Sequence, residues 1–123
     1  MNDILHLVLK HKWFEKIKSG EKTSEYRECK PFWDKRFMPI VDGTKPMWKY
    51  IVFHDGYTNK ILKCELLSVA ITKEKNDLNK NQVWELKLGN VLVLYSGVDA
   101  SVIFVVVVVC FLTLVVLPVI SNG

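Results

Sequence analysis

The sequence predicts a small, mostly β (α+β) domain closing as a barrel with two short helices, followed by a separate C-terminal hydrophobic segment. Three observations carry this. Five or six short runs of strand composition alternate with turn residues, helical spacing of apolar residues occurs only near the front, and no charged residue follows Asp99. With 123 residues, 50% of them hydrophobic, and a formal net charge of +4, the chain has room for one core. Residues 1–97 read as the folded domain and 98–123 as an apolar tail.

The elements follow in order. Ile4 to Leu9 is apolar and β-branched in part, and reads as an opening strand. Lys12 to Ser19 places Trp13, Phe14 and Ile17 at one-turn spacing, with Lys12, Glu15, Lys16 and Lys18 facing away. That predicts a two-turn amphipathic helix ended by Gly20. Thr23 to Glu28 reads as a short strand. Pro31 suits the first position of a helical turn through Phe37, and Met38 to Pro46, with Pro39, Gly43 and Pro46, reads as a loop.

Trp48 to His54 has strand content and closes on an Asp55-Gly56 turn. Lys60 to Thr72 gives one long strand or two with a bend. Lys73 to Asn81 is polar and reads as a solvated loop. Gln82 to Leu88 alternates, and Gly89-Asn90 is expected to turn the chain into a last strand, Val91 to Tyr95.

Composition narrows the chemistry. Cys29, Cys64 and Cys110 form no CxxC pair, and His6, His11 and His54 show no zinc spacing. No metal and no cofactor is therefore expected, and the cysteines read as reduced thiols. Asp3 is acidic where a secretory signal would be basic, so the domain is expected in the cytoplasm. A charge of +4 permits nucleic acid as a partner without demanding it.

Val102 to Ile120 holds 17 apolar residues in 19, enough as a helix to span roughly 28 Å, near the thickness of a bilayer core. A transmembrane anchor over 102–120 is one reading. A buried strand pair is a second, and a shifted reading frame past the end of the domain is a third. The flanks are bare of the basic and aromatic residues that usually frame a span.

The stretch richest in chemistry is Gly20-Glu21-Lys22-Thr23-Ser24-Glu25-Tyr26-Arg27, of the form GxKxxExR. Gly20 lets the backbone turn tightly. Lys22 supplies a point charge and Arg27 a planar fork, and Glu25 between them can orient Lys22 or accept hydrogen bonds from an amino group. In a strand Glu25 and Arg27 share one face and Ser24 and Tyr26 the other. The competing account is a solvated ion-pair cluster.

With that motif, the sequence resembles the ASCH family of the PUA-like superfamily. His6-Leu7-Val8-Leu9-Lys10, Glu28-Cys29-Lys30-Pro31-Phe32-Trp33, Phe53-His54-Asp55-Gly56-Tyr57 and Leu86-Lys87-Leu88-Gly89 extend the resemblance over residues 4 to about 95. It implies a small PUA-like β-barrel, with the motif lining a cleft and an RNA-associated role. Gly20, Lys22, Glu25, Arg27, Trp33 and Tyr57 become the candidate ligand-binding residues. The partner is then RNA or a nucleotide-like small molecule, with Glu25 reading an exocyclic amino group, Arg27 holding phosphate, and Trp33 and Tyr57 as stacking platforms.

Some bacterial members of that superfamily are amidohydrolases that remove the acetyl group from N4-acetylcytidine. By that resemblance Lys22 would be the base or nucleophile-activating group, with Glu25 standing where those enzymes use threonine. Their second catalytic carboxylate has no assignable counterpart in the shortened Lys73 to Asn81 loop, where Glu74 or Asp77 could serve. A third possibility is a membrane-tethered adaptor whose domain presents a ligand-binding surface near the bilayer. The tryptophans Trp13, Trp33, Trp48 and Trp84 divide between core and platform roles, with two or three expected in the core. His54 is expected to serve the strand end or turn.

Overall fold

The computed structural model describes residues 3–96. In chain order the elements are β1 (Ile4–Leu9), α1 (His11–Lys18), β2 (Ser24–Glu28), α2 (Pro31–Val41), β3 (Tyr50–Asp55), β4 (Lys60–Thr72) and β5 (Val83–Ser96). The strands form one mixed sheet in the order β1-β3-β4-β5-β2, with β1 parallel to β3 and every other pair antiparallel. The sheet curls into a half-barrel, so the mostly β expectation holds.

Alternation explains the curl's inner face. Leu5, Leu7 and Leu9 on β1, Ile51 and Phe53 on β3, Leu62, Cys64 and Leu66 on β4, and Trp84, Leu86 and Leu88 on β5 are all buried in one cluster. The cross-strand registers Leu7↔Phe53 and Phe53↔Leu62 join them across the first three strands. Helix α1 adds Phe14 and Ile17 and α2 adds Phe37, and each such side chain contributes about 1.5–3 kcal/mol by leaving water. Trp84 is fully buried, and its indole Nε1 donates to Asp34 Oδ1 at 2.8 Å, so its polar atom is satisfied inside the core. Trp13, Trp33 and Trp48 are only partly buried, packed against that core.

Two expectations need correction. Gly89-Asn90 does not reverse the chain: β5 runs unbroken from Val83 to Ser96 because both halves pair with β4. The pairing slips between Lys63 and Ser68 instead, and bulges bend a long strand where a turn was expected. Gly89 is needed there because a Cβ would lie 2.9 Å from Glu65 Oε1, and that same oxygen accepts the Asn90 N–H at 2.9 Å.

Helix α2 also continues four residues past Phe37 and carries Pro39 inside it. The missing N–H falls in the last turn of an exposed helix, where water can take the freed carbonyl. Residues 73–81 form an exposed loop, as expected, with Asn76 buried inside it.

Among the described residues no helix is long and apolar enough to cross a membrane. The expected span at 102–120 lies outside the described residues.

Candidate functional site: a seam between two edge strands

The two edges of the sheet are β1 and β2, and the curl brings them towards each other. Arg27 Nη2 donates to the backbone carbonyl of Val8 at 3.1 Å, tying one edge to the other. Beside that tie lies a cavity of about 420 Å³, lined by Val8, Leu9 and Lys10 from one side and Glu25, Tyr26 and Arg27 from the other. Trp13, Tyr57 and Asp77 complete much of its wall.

Local chain geometry builds the motif. The carbonyl of Ile17 accepts the N–H of Gly20, whose φ is +84°, and the N–H of Lys22 returns to Lys16 O at 3.0 Å. The chain thus folds back over the end of α1 and sets the Lys22 ammonium 5.1 Å from the Trp13 ring centre. Gly20 makes this turn and is itself exposed, away from the cavity lining. A left-handed φ is a conformation that favours glycine.

Strand β2 then places Glu25 opposite Leu86 and Arg27 opposite Trp84, on the inner face of the curl. Ser24 points outwards, with its hydroxyl donating to Glu85 at 2.9 Å. Charged side chains on a core-facing register must be paired, and these are. Arg27 Nη2 donates to Glu25 Oε2 at 2.9 Å, and Lys22 Nζ lies 3.5 Å from Glu25 Oε1. Lys22 Nζ also donates to Asp77 Oδ2 and sits 4.8 Å from the Tyr26 ring centre.

Lys22 and Glu25 are both buried, at 9% and 6% exposure. Burial pushes the Glu25 carboxyl above its ordinary value of 4.5, against the opposing pull of Arg27 and Lys22. Burial and the neighbouring Glu85 carboxylate likewise raise the Tyr26 phenol. The motif is therefore a built-in charge network and not a solvated ion-pair cluster.

The remaining candidates divide. Tyr57 is fully exposed and lines the cavity mouth. Trp33 lines neither cavity described here; it stacks on Phe37 at 5.5 Å and carries the Arg27 guanidinium at 4.9 Å. Its place is behind Arg27, as support. His54 is the next-to-last residue of β3, and its Nε2 lies 3.0 Å from His6 Nδ1 on the neighbouring strand. Burial and that neighbour lower its pKa.

Trp13, Lys10 and Asp77 are members that the motif does not announce. Trp13 reads from sequence as one of several core candidates. Asp77 lies 55 positions from Lys22, and nothing local in the sequence links them.

A smaller cavity of about 270 Å³ lies on the other side of this wall, lined by Lys16, Glu21, Lys22, Thr23 and Ser24. Trp13, Tyr26 and Asp77 line both cavities.

Among the described residues one group carries donors suited to a metal. His11, Glu15 and Asp55 bring ligating atoms within 4.8 Å of one another. Asp55 is 2.8 Å from His11 Nδ1, however, and Glu15 lies 3.9 Å from His11 Nε2. The His11–Asp55 hydrogen bond ties α1 to β3, and Glu15, on α1 itself, stands beyond hydrogen-bond distance at the other nitrogen.

No family model, curated protein or solved structure matches the chain.

Proposed function

We propose that the chain is an ASCH-like domain that binds RNA or a nucleotide-like ligand at the seam, with Glu25 and Arg27 in the cavity wall and Lys22 behind Asp77, on the side of the smaller cavity. The observation that carries this reading is the cavity itself. Its volume lies in the roughly 300–1,000 Å³ range of small-molecule sites. Its inner end is a buried, hydrogen-bonded carboxylate, and three aromatic rings, Trp13, Tyr26 and Tyr57, stand around it. A nucleobase offers flat faces to such rings and amino groups to such a carboxylate.

In this reading Glu25 accepts from an exocyclic amino group. Arg27 holds Glu25 in place and ties the seam, and its part in holding phosphate is secondary because Nη2 is already committed to Glu25 and Val8. Lys10 and Tyr57 stand at the rim, where a longer RNA would leave the cleft. The domain is taken to act in the cytoplasm.

The test is a fluorescence titration of the full chain with cytidine and with short single-stranded RNA, repeated for Lys22→Ala and Glu25→Gln. The expected result is binding by the parent and at least tenfold weaker binding by both variants. Absence of binding to either ligand by the folded parent would reject the proposal.

The Lys22–Asp77 contact favours a second reading, an amidohydrolase acting on N4-acetylcytidine-type nucleosides. It sets Asp77, one of the two carboxylates that the resemblance leaves as candidates, beside the lysine. Ultraviolet-monitored turnover of N4-acetylcytidine separates the readings: turnover abolished by Lys22→Ala establishes the enzyme, and binding without turnover leaves the module.

A further inference from the structure

Loop 73–82 is organised by one side chain. Asn76 is buried at 8% exposure. Its Nδ2 donates to Glu74 O at 3.0 Å and to Lys80 O at 2.8 Å. Its Oδ1 accepts the N–H of Leu78 at 3.0 Å and that of Lys80 at 3.4 Å. An asparagine amide has two donor hydrogens and two acceptor lone pairs, and here all four are used within seven residues. Asn79 adopts a left-handed φ of +54° to let the loop close around it. A loop tied in this way has little freedom, so the residue next to Asn76 is held where the loop puts it.

That residue is Asp77, and the loop puts its carboxylate on the Lys22 ammonium. The Asp77 side chain remains one-third exposed while the Lys22 side chain is 7% exposed, so the carboxylate covers the cation from the solvent side. The charged residues lining the seam cleft then compensate, Lys10 and Arg27 against Glu25 and Asp77. Asp77 lines both cavities and Lys22 only the smaller one, so a phosphate entering the seam cleft meets the Asp77 carboxylate and not the ammonium behind it.

We infer that Asp77 is an internal anion that makes the cleft select uncharged nucleoside groups over phosphates, and that Asn76 is the positioning residue that holds it there. This rests on the nucleoside reading of the cleft, and it deepens that reading by naming the part of a nucleotide that enters. The base and sugar occupy the seam and the phosphate stays outside. Removal of the Asp77 charge leaves the lining of the cleft one positive charge in excess and Lys22 paired with Glu25 alone.

The experiment uses the full chain, Asp77→Asn, Asn76→Ala and Asn76→Asp, with three probes. Acylation of Lys22 by acetic anhydride, read by peptide mass spectrometry against exposed Lys35, reports whether Asp77 covers it and needs no ligand. Inorganic phosphate reports anion binding, and cytidine against cytidine 5′-monophosphate reports selectivity.

Asp77→Asn is expected to raise phosphate affinity and to shift the cytidine-to-monophosphate preference towards the monophosphate by roughly tenfold, the scale of one charge-assisted contact. Asn76→Ala is expected to unmask Lys22 to acylation severalfold. Asn76→Asp, which keeps the two accepted N–H bonds, is expected to fall between it and the parent. Unchanged phosphate affinity in Asp77→Asn, or Lys22 as protected in Asn76→Ala as in the parent, would overturn the inference. If Asn76→Ala does not fold, Asp77→Asn decides alone. Failure of the nucleoside reading would show separately, as absent cytidine binding with the acylation and phosphate responses intact.

Discussion

Strands β1 and β2 face each other across the same seam, yet they obey alternation to opposite ends. On β1 the inward positions are Leu5, Leu7 and Leu9, each at most 3% exposed, and they complete an apolar core. On β2 the inward positions are Glu25 and Arg27, opposite Leu86 and Trp84. Both strands are short edges of one sheet, so position does not explain the difference. A carboxylate and a guanidinium on a core-facing register cost stability unless they are paired and hydrogen-bonded. β2 keeps them by recruiting Lys22, Asp77 and the Val8 carbonyl as partners. The comparison teaches that one edge builds the core and the other, at the expense of stability, carries a paired charge network.

The largest expected effect comes from forcing β1 to behave like β2. Leu7→Glu would bury a carboxylate with no partner supplied for it and should remove more than about 4 kcal/mol of stability, enough to unfold many small domains. Denaturant unfolding measures this, and a loss under 1 kcal/mol would mean the two edges are not different in kind.

The converse change should cost nearly as much for a different reason. Glu25→Ala leaves Lys22 and Arg27 without their shared carboxylate, and breaking a buried pair from one side typically costs about 3–5 kcal/mol. Replacing Lys22, Glu25 and Arg27 together by Met, Leu and Met should restore the parent's stability or exceed it, while abolishing ligand binding. A triple variant less stable than Glu25→Ala would show that the network is structural.

A smaller effect is the pH dependence of stability that Glu25 imposes. Its folded carboxyl titrates above 4.5 because of burial. As pH rises through 4.5 the unfolded chain releases this proton and the folded chain keeps it, so the contribution of Glu25 to stability falls. The fall stops once the pH passes the folded value, and its slope cannot exceed about 1.4 kcal/mol per pH unit. Glu25→Gln should flatten the unfolding free energy over this window. A profile identical to the parent's would mean Glu25 is not the titrating group.

The smallest effect contrasts two thiols. Burial pushes Cys64 up to about 11, and burial also raises half-buried Cys29. At pH 7.5 Cys64 should resist iodoacetamide until the domain unfolds, and Cys29 should react first. Peptide mapping reads both, and early labelling of Cys64 would indicate that the inner face opens locally.

Much of this was legible in the residues themselves. Ile4 to Leu9, apolar at all but His6 and β-branched in part, reads as the strand β1, and Trp13, Phe14 and Ile17 at helical spacing define α1. Period two along Ser24 to Arg27 already puts Glu25 and Arg27 on one face. Local rules failed where a distant partner outweighed them. Gly89-Asn90 has turn composition, but pairing with β4 along both halves of β5 made it a bulge. Polar residues 73–81 have loop composition, but that composition does not reveal that Asn76 folds the loop around itself or that its neighbour reaches Lys22.

The sequence by itself determined which segments become strands and helices, which faces are apolar, and which short stretch concentrates lysine, glutamate and arginine. These depend on neighbours within a few positions, where side-chain period and backbone preference act. Only the tertiary structure decided that β1 and β2 would be the two edges, that the curl would bring them together, and that Asp77 would complete the network. Those outcomes depend on how a bent sheet closes, and contacts between residues 19 to 55 positions apart carry no local signature.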